Sequence, residues 1–212
     1  LAQAGRFILY LGVPYVALGG WPQRPHRGLL SLENLGIVGF GGHWTVSRWL
    51  EAVGTGLGLG VMALLLLSLA LSNADSRAGD VRLHLSPRPW WALVVDLLYL
   101  EVHWAFYRAG FTEATGSVYW GAFLGLGLVF LEWGLNPFWR RGWSLEEKAG
   151  ARWVRAAEAL VISVVFLLSR NLWVCVAVHL LLEFPLRALG RAARAQLPEQ
   201  DPAPGLSPAD SR

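Results

Sequence analysis

The chain has 212 residues, of which 54% are apolar and 16% charged, and its net charge is +3. A soluble domain of this size needs more charged surface, and here the apolar residues form long blocks with the charges between them, so the composition favours a membrane protein. The basic residues lie beside these blocks rather than in a stripe with interleaved aromatic residues, which excludes nucleic acid as a partner.

Six apolar blocks are candidate membrane spans. They cover residues 7–20 (a short one), 52–71, 90–107, 117–135, 153–169 and 171–186. As one helix, residues 156–186 would measure about 46 Å, too long for a bilayer core of about 30 Å. Two spans joined by a tight turn, or one span and a re-entrant segment, fit better. The predicted fold class is all-α: a polytopic transmembrane helical bundle of about six spans in one domain, 1–195, with a disordered cytoplasmic tail, 196–212.

The distribution of basic residues predicts the orientation. With six spans both termini lie on one side, and that side collects thirteen of the 18 Lys and Arg residues. Because cytoplasmic loops carry the excess of Lys and Arg, both termini are predicted to be cytoplasmic. All but one of the 18 basic residues are Arg, a usage typical of GC-rich bacterial genomes, so we expect a multi-pass protein of the bacterial plasma membrane.

Small residues in the spans predict close packing rather than chemistry. Gly56 and Gly60, like Gly121 and Gly125, are four residues apart, a spacing that lets membrane helices approach closely. The single cysteine, Cys175, cannot form an internal disulfide and is predicted to be a packed apolar residue.

Ionisable residues inside the spans need an explanation, because charge is costly in a bilayer. In the third to sixth spans they include Asp96, Glu101, His103, Arg108, Glu132, Glu158, His179 and Glu183. Helix rise places Glu101, His103 and His179 at one depth, and Glu183 lies one turn from His179 on the same face. Glu101 and His103 point about 200° apart, so only one of them can join the sixth-span residues.

These residues have two interpretations. They form either a functional site or a set of interhelical hydrogen bonds and ion pairs, which are ordinary in membrane bundles. Glu101 and Arg108, seven residues apart, share a helix face. Glu158, little more than a turn beyond Trp153, is predicted to reach the membrane interface instead.

Three segments resemble motifs of one known family. They are EVHWAFYRAG (101–110), SRNLWVCVAVHLLLE (169–183) and SLENLG (31–36). The first two resemble the first and last motifs of the CPBP family, the CAAX-prenyl-protease and bacteriocin-processing (Abi-type) intramembrane proteases. In that family a Glu-Glu-x-x-x-Arg run precedes a small residue, and a Thr-Gly-Ser/Asn-Leu-Trp turn leads into a helix with His-x-x-x-Asn. The third resembles a segment that follows the family's first span.

The match to these motifs is partial. In the first, Arg108 matches, while His103 and Trp104 occupy the paired Glu positions and Glu101 lies two residues before them. In the last, His179 matches and Glu183 replaces the Asn. The family's middle Phe-x-x-x-His motif is missing, and Glu132 is the only ionisable residue in the fourth span.

The resemblance implies an intramembrane protease homologue, either a divergent membrane peptidase or one that has lost activity. Glu101 or Glu183 would be the general base, His103 and His179 would be electrophilic groups or metal ligands, and Arg108 would fix the end of the third span. The cofactor would be none or a divalent metal such as zinc. Membrane lipid and a membrane-anchored peptide or protein substrate are the implied partners. A non-catalytic membrane scaffold or partner-binding protein and a small transporter are the alternatives.

Overall fold

The computed structural model describes residues 33–37, 44–78, 89–137 and 146–195. Over these ranges the chain contains no strand and forms five helices: α1 Val46–Ala78, α2 Trp90–Thr115, α3 Val118–Leu135, α4 Glu146–Ser169 and α5 Leu172–Ala195. The predicted all-α class is confirmed, and each predicted span from the second to the sixth coincides with one helix. The first predicted span and the tail 196–212 lie outside the described residues.

A tight turn separates α4 from α5. Arg170 has φ +48°, a left-handed conformation in which an α-helix cannot continue. Asn171 then caps α5, because its Oδ1 accepts hydrogen bonds from the backbone N–H groups of Trp173, at 2.9 Å, and Val174, at 3.3 Å. The alternative of two helices joined by a tight turn is therefore the one observed.

The fifth helix lies at the centre of the described bundle. α5 packs against α1, α2 and α4, and α4 also contacts α1 and α3, while α2 and α3 pair along their lengths. The core between α4 and α5 includes Ile162, Val165, Val178 and Leu182. Cys175 belongs to the same core and is fully buried, as predicted.

Two glycines bring α2 and α3 into close contact. A Cβ placed on Gly121 would collide with the side chain of Thr112 and lie 2.8 Å from the carbonyl oxygen of Arg108. A Cβ on Gly125 would lie 3.0 Å from the backbone nitrogen of Arg108. The predicted packing role of these glycines is confirmed, and the contact fixes the backbone beside Arg108.

Three helices are long and apolar enough to cross a membrane. These candidate spans are Val46–Asn73, Val118–Leu135 and Leu172–Leu189, selected by length and composition. Large apolar side chains also face outward among the described residues, such as Leu65 and Leu66 on α1 and Phe123 on α3. A helical bundle with three candidate spans is therefore supported, rather than the predicted six.

We expect Gly121→Ala to destabilise the protein, because the new methyl group meets backbone and Thr112 atoms that cannot move far. The expected cost is about 1–3 kcal/mol, as for other overpacked sites. The matched control is Gly127→Ala on the same helix, where an added Cβ meets nothing within 4 Å. Thermal unfolding in detergent, followed by reaction of a thiol dye with the buried Cys175, measures both; equal midpoints for the two variants would contradict the packing described.

Candidate functional site

A carboxylate–histidine pair joins α2 to α5 in the middle of the bundle. Oε1 of Glu101 lies 2.7 Å from Nδ1 of His179. Both residues have 0% of their surface exposed. The indole of Trp104 stacks on the imidazole with ring centroids 5.7 Å apart, which covers one face of His179. The two predicted site residues that came from different motifs are therefore in direct contact.

Arg108 lies on the far side of Glu101 from the histidine. Its guanidinium NH2 is 3.7 Å from Oε2 of Glu101, and its Cζ stands 4.3 Å from the centre of the Phe166 ring. Seven residues make about two helical turns, so Glu101 and Arg108 lie on one face of α2, as predicted. The cation is thus buried between a carboxylate and an aromatic face, both of which stabilise its charge.

Charged side chains of α4 and α5 surround Nε2, the other ring nitrogen of His179. Nε2 of His179 is 3.2 Å from NH1 of Arg155, which also lies 3.0 Å from Oε2 of Glu158. NH2 of the same guanidinium contacts Oε1 of Glu183 at 3.3 Å. Arg187 contacts that oxygen as well, with Nε at 2.7 Å. One arginine from α4 therefore links both predicted residues of α5.

These contacts determine which nitrogen of His179 carries hydrogen. Arginine only donates hydrogen bonds, so Nε2 of His179 must accept from Arg155. The hydrogen of the neutral ring is then on Nδ1, and it is donated to the Glu101 carboxylate. The arrangement fixes both the orientation and the tautomer of the imidazole.

His103 lies in a different contact group. Its Nε2 is 3.1 Å from Oε2 of Glu132 on α3, and the hydroxyl of Tyr107 donates to the same oxygen at 3.2 Å. The predicted 200° separation between Glu101 and His103 explains why the two residues of α2 have partners on different helices. Four of the five predicted site residues belong to one network of contacts: Glu101, Arg108, His179 and Glu183. The fifth, His103, contacts Glu132 of α3 instead.

The prediction that Glu158 reaches the membrane interface is wrong. α4 begins at Glu146 rather than at Trp153, so Glu158 lies about 18 Å along the helix instead of about one turn from its start. It is fully buried beside His179, with Nε2 3.9 Å from its Oε2. Arg155 was not predicted as a site residue either. It lies three residues before Glu158 on the same helix face, and this spacing of opposite charges in the sequence indicates an ion pair.

One group of side chains around His179 resembles the ligands of a metal site, but the Arg155 guanidinium occupies the position that a metal ion would take. Glu158, His179 and Glu183 each offer one atom, all within 4.8 Å of one another. Zinc would need these atoms at about 2.0–2.2 Å from a single point. The Arg155 guanidinium contacts all three residues, so in this arrangement they do not fit a divalent metal.

The connected contacts pair carboxylates with guanidinium groups. Glu101, Glu158, Glu183 and Arg108 are buried, whereas Arg155 and Arg187 are half-buried. Removing one partner of such a pair leaves an uncompensated buried charge, which typically costs about 3–5 kcal/mol.

Comparisons with protein-family models, with curated proteins and with solved structures found no match for this chain. The described residues themselves define an all-helical bundle with three helices apolar enough to cross a membrane and with paired charges at its centre. The CPBP resemblance stays a prediction that depends on the residues of its motifs.

We expect the Glu101 and His179 side chains to be energetically coupled. Glu101→Ala and His179→Ala should each destabilise the protein, and the double variant should lose about 1–3 kcal/mol less than the sum, because the contact between the two side chains is lost only once. The control cycle pairs His179→Ala with Glu51→Ala, an exposed residue of α1. Unfolding free energies in mixed micelles measure both; additivity in the first cycle would show that the 2.7 Å contact contributes nothing.

Proposed function

We propose that the chain is a CPBP-like intramembrane peptidase in which Glu101 and His179 form the water-activating pair. The strongest support is the 2.7 Å contact between Glu101, from the segment that resembles the first motif, and His179, from the segment that resembles the last. Oε2 of Glu101 lies 3.7 Å from NH2 of Arg108 but accepts no hydrogen bond from the described residues, so it is the oxygen that would take a proton from water. Oε1 of Glu183, by contrast, is shared by Arg155 and Arg187, which favours Glu101 as the base.

The third resembling segment also reaches this region. The backbone N–H of Leu172, the first residue of α5, donates to the carbonyl oxygen of Gly36 at 2.9 Å. Leu35 is buried with Ala105 and Ala109 of α2 and with Leu172. Parts of all three segments quoted for the resemblance therefore pack together, although they are far apart in the sequence.

The His103–Glu132 contact gives further support. The resemblance implies a glutamate on the third span and a histidine on the fourth, whereas this chain has His103 on α2 and Glu132 on α3. The two side chains nevertheless form a pair at 3.1 Å. We infer that the acidic and basic partners have exchanged helices, and that His103 acts through this pair rather than beside His179.

In the proposed arrangement the protein has six spans, lies in a bacterial plasma membrane and keeps both termini in the cytoplasm. α2 and α4 fall short of an apolar composition because they carry the buried charges, but their outward faces bear exposed apolar side chains such as Leu98 on α2 and Leu160 and Leu168 on α4. With 26 and 24 residues they are long enough to span about 30 Å of hydrocarbon. The exposed Trp90 suits a membrane interface.

A non-catalytic membrane scaffold is the second candidate, and the burial of the site favours it. Glu101, Glu158 and His179 expose no surface, so hydrolysis requires water and substrate to enter between helices that are closed in this conformation. The same contacts would then act only as interhelical glue. The small-transporter alternative stays a prediction.

We expect wild-type protein to cleave one or more membrane-anchored peptides, and Glu101→Gln to lose this activity by about 10²–10⁴-fold, as for loss of a general base. His179→Ala should lose it as well, whereas Glu183→Gln should retain more activity than Glu101→Gln. The matched control is Glu113→Gln, an exposed glutamate near the end of α2. Cleavage of a panel of peptides in liposomes, analysed by mass spectrometry, gives kcat and KM separately.

The same variants distinguish the second candidate. If no peptide of the panel is cleaved by wild-type protein, while Glu101→Gln and His179→Ala lower the thermal midpoint, the residues act as glue and the peptidase proposal is wrong. Unchanged cleavage by Glu101→Gln would also overturn it.

The orientation is tested with reporter fusions. We expect alkaline phosphatase fused after Gly116, between α2 and α3, to be active outside the cytoplasm, and the same reporter fused after residue 195 to be inactive, because an odd number of spans separates the two points. A green fluorescent protein fusion at each point should give the reverse pattern. The same reporter result at both points would contradict the six-span arrangement.

A further inference from the structure

The guanidinium of Arg155 lies where three ligand-type atoms converge. It contacts Oε2 of Glu158 at 3.0 Å, Nε2 of His179 at 3.2 Å and Oε1 of Glu183 at 3.3 Å. These three residues form the described group whose donor atoms lie within 4.8 Å of one another. Two carboxylates and an imidazole are the ligand types of many zinc sites, so a cation occupies the position that such ligands normally offer to a metal.

The surroundings of His179 have a further property of a metal site. Ligating histidines generally donate their second ring N–H to a carboxylate, which orients the ring for the metal. Here Nδ1 of His179 contacts Glu101 at 2.7 Å, which leaves Nε2 directed toward Arg155. Neither oxygen of the fully buried Glu158 has a well-formed hydrogen bond to the described residues, although Arg155 neutralises its charge. The Glu158 carboxylate therefore faces the same guanidinium as Nε2 of His179.

We infer that the Arg155 guanidinium occupies the position in which Glu158, His179 and Glu183 would otherwise hold a divalent cation, so that Arg155 is the resident cation of this group. The arginine joins α4 to α5 as a metal ion would, and it excludes the metal as long as it is present. Arg155 is also partly exposed, with 24% of its side chain accessible, so the site has an approach from outside even though its three ligands are buried. This inference does not depend on the peptidase proposal.

Removing Arg155 tests the inference directly. Wild-type protein, prepared without a histidine tag in detergent micelles, should bind no Zn²⁺ at these residues. Arg155→Ala and the bulkier, neutral Arg155→Gln should each bind about one equivalent, because they remove the cation that lies between Glu158 and His179, while Arg187 still contacts Oε1 of Glu183. Binding is followed by calorimetry with Zn²⁺ and by the visible absorption of Co²⁺ in the same site. The Arg155→Gln variant guards against misfolding of the alanine variant, and protection of Cys175 from a thiol dye reports the fold of each.

Two further variants identify the ligands. In the Arg155→Ala background, Glu158→Gln should abolish binding, and Glu101→Gln should weaken it by about 10–100-fold, as expected for a group that only orients a ligand. Arg187→Ala is the matched control, because it removes a different cation from Glu183 and leaves Arg155 in place, so it should gain no binding.

Three results would overturn the inference. They are Zn²⁺ binding by wild-type protein as tight as that by Arg155→Ala, an equal gain in Arg187→Ala, or no gain in either folded Arg155 variant.

Discussion

The structure depends on the requirement that charge buried among apolar helices be paired. Each buried carboxylate has an arginine on its own helix, and polar side chains of neighbouring helices complete its contacts. Glu101 has no exposed surface, and its partners are His179 from α5 and Arg108 from its own helix. Arg155 from α4 meets the same histidine and Glu183 from α5. Three helices are thus tied together by contacts that are costly to break, since a lone charge left in such an interior is strongly unfavourable. The central place of α5 follows, because it carries the residues that both other helices need.

The same requirement explains why three of the five described helices, and not all five, are apolar enough to cross a membrane. α1, α3 and α5 are apolar enough to cross a membrane, whereas α2 and α4 carry acidic and basic residues in their middles. Those residues face the interior, where Glu101, Arg108 and Glu158 are buried, and the outward faces remain apolar. Charged residues in the middle of a helix count against it as a candidate span even when its exposed face is apolar, because composition does not distinguish the buried face from the exposed one.

Periodicity in the sequence was enough to predict the helices and part of the site. The shared face of Glu101 and Arg108, the opposite face of His103 and the common depth of Glu101 and His179 all follow from helix geometry, and the contacts agree with them. The role of Glu158 could not be predicted because its depth was counted from Trp153, whereas α4 begins seven residues earlier, in a polar stretch. The partners of each charge depend on helix rotation and on which helices are neighbours, and a single sequence does not contain that information. Helix geometry and burial describe where these side chains lie, and the reaction that they carry out is tested by the activity of their variants.

The turn at Arg170 and Asn171 has a consequence for the entropic cost of forming the site. A connection this short holds α4 and α5 side by side as soon as both have been synthesised. Arg155 on the first helix therefore meets Glu183, only 28 residues further along the chain, at a small entropic cost of loop closure. The contact between Glu101 and His179 closes a loop of 78 residues, so its entropic cost is larger. The carboxylate–histidine contact thus depends on the order that the short turn already imposes on α4 and α5.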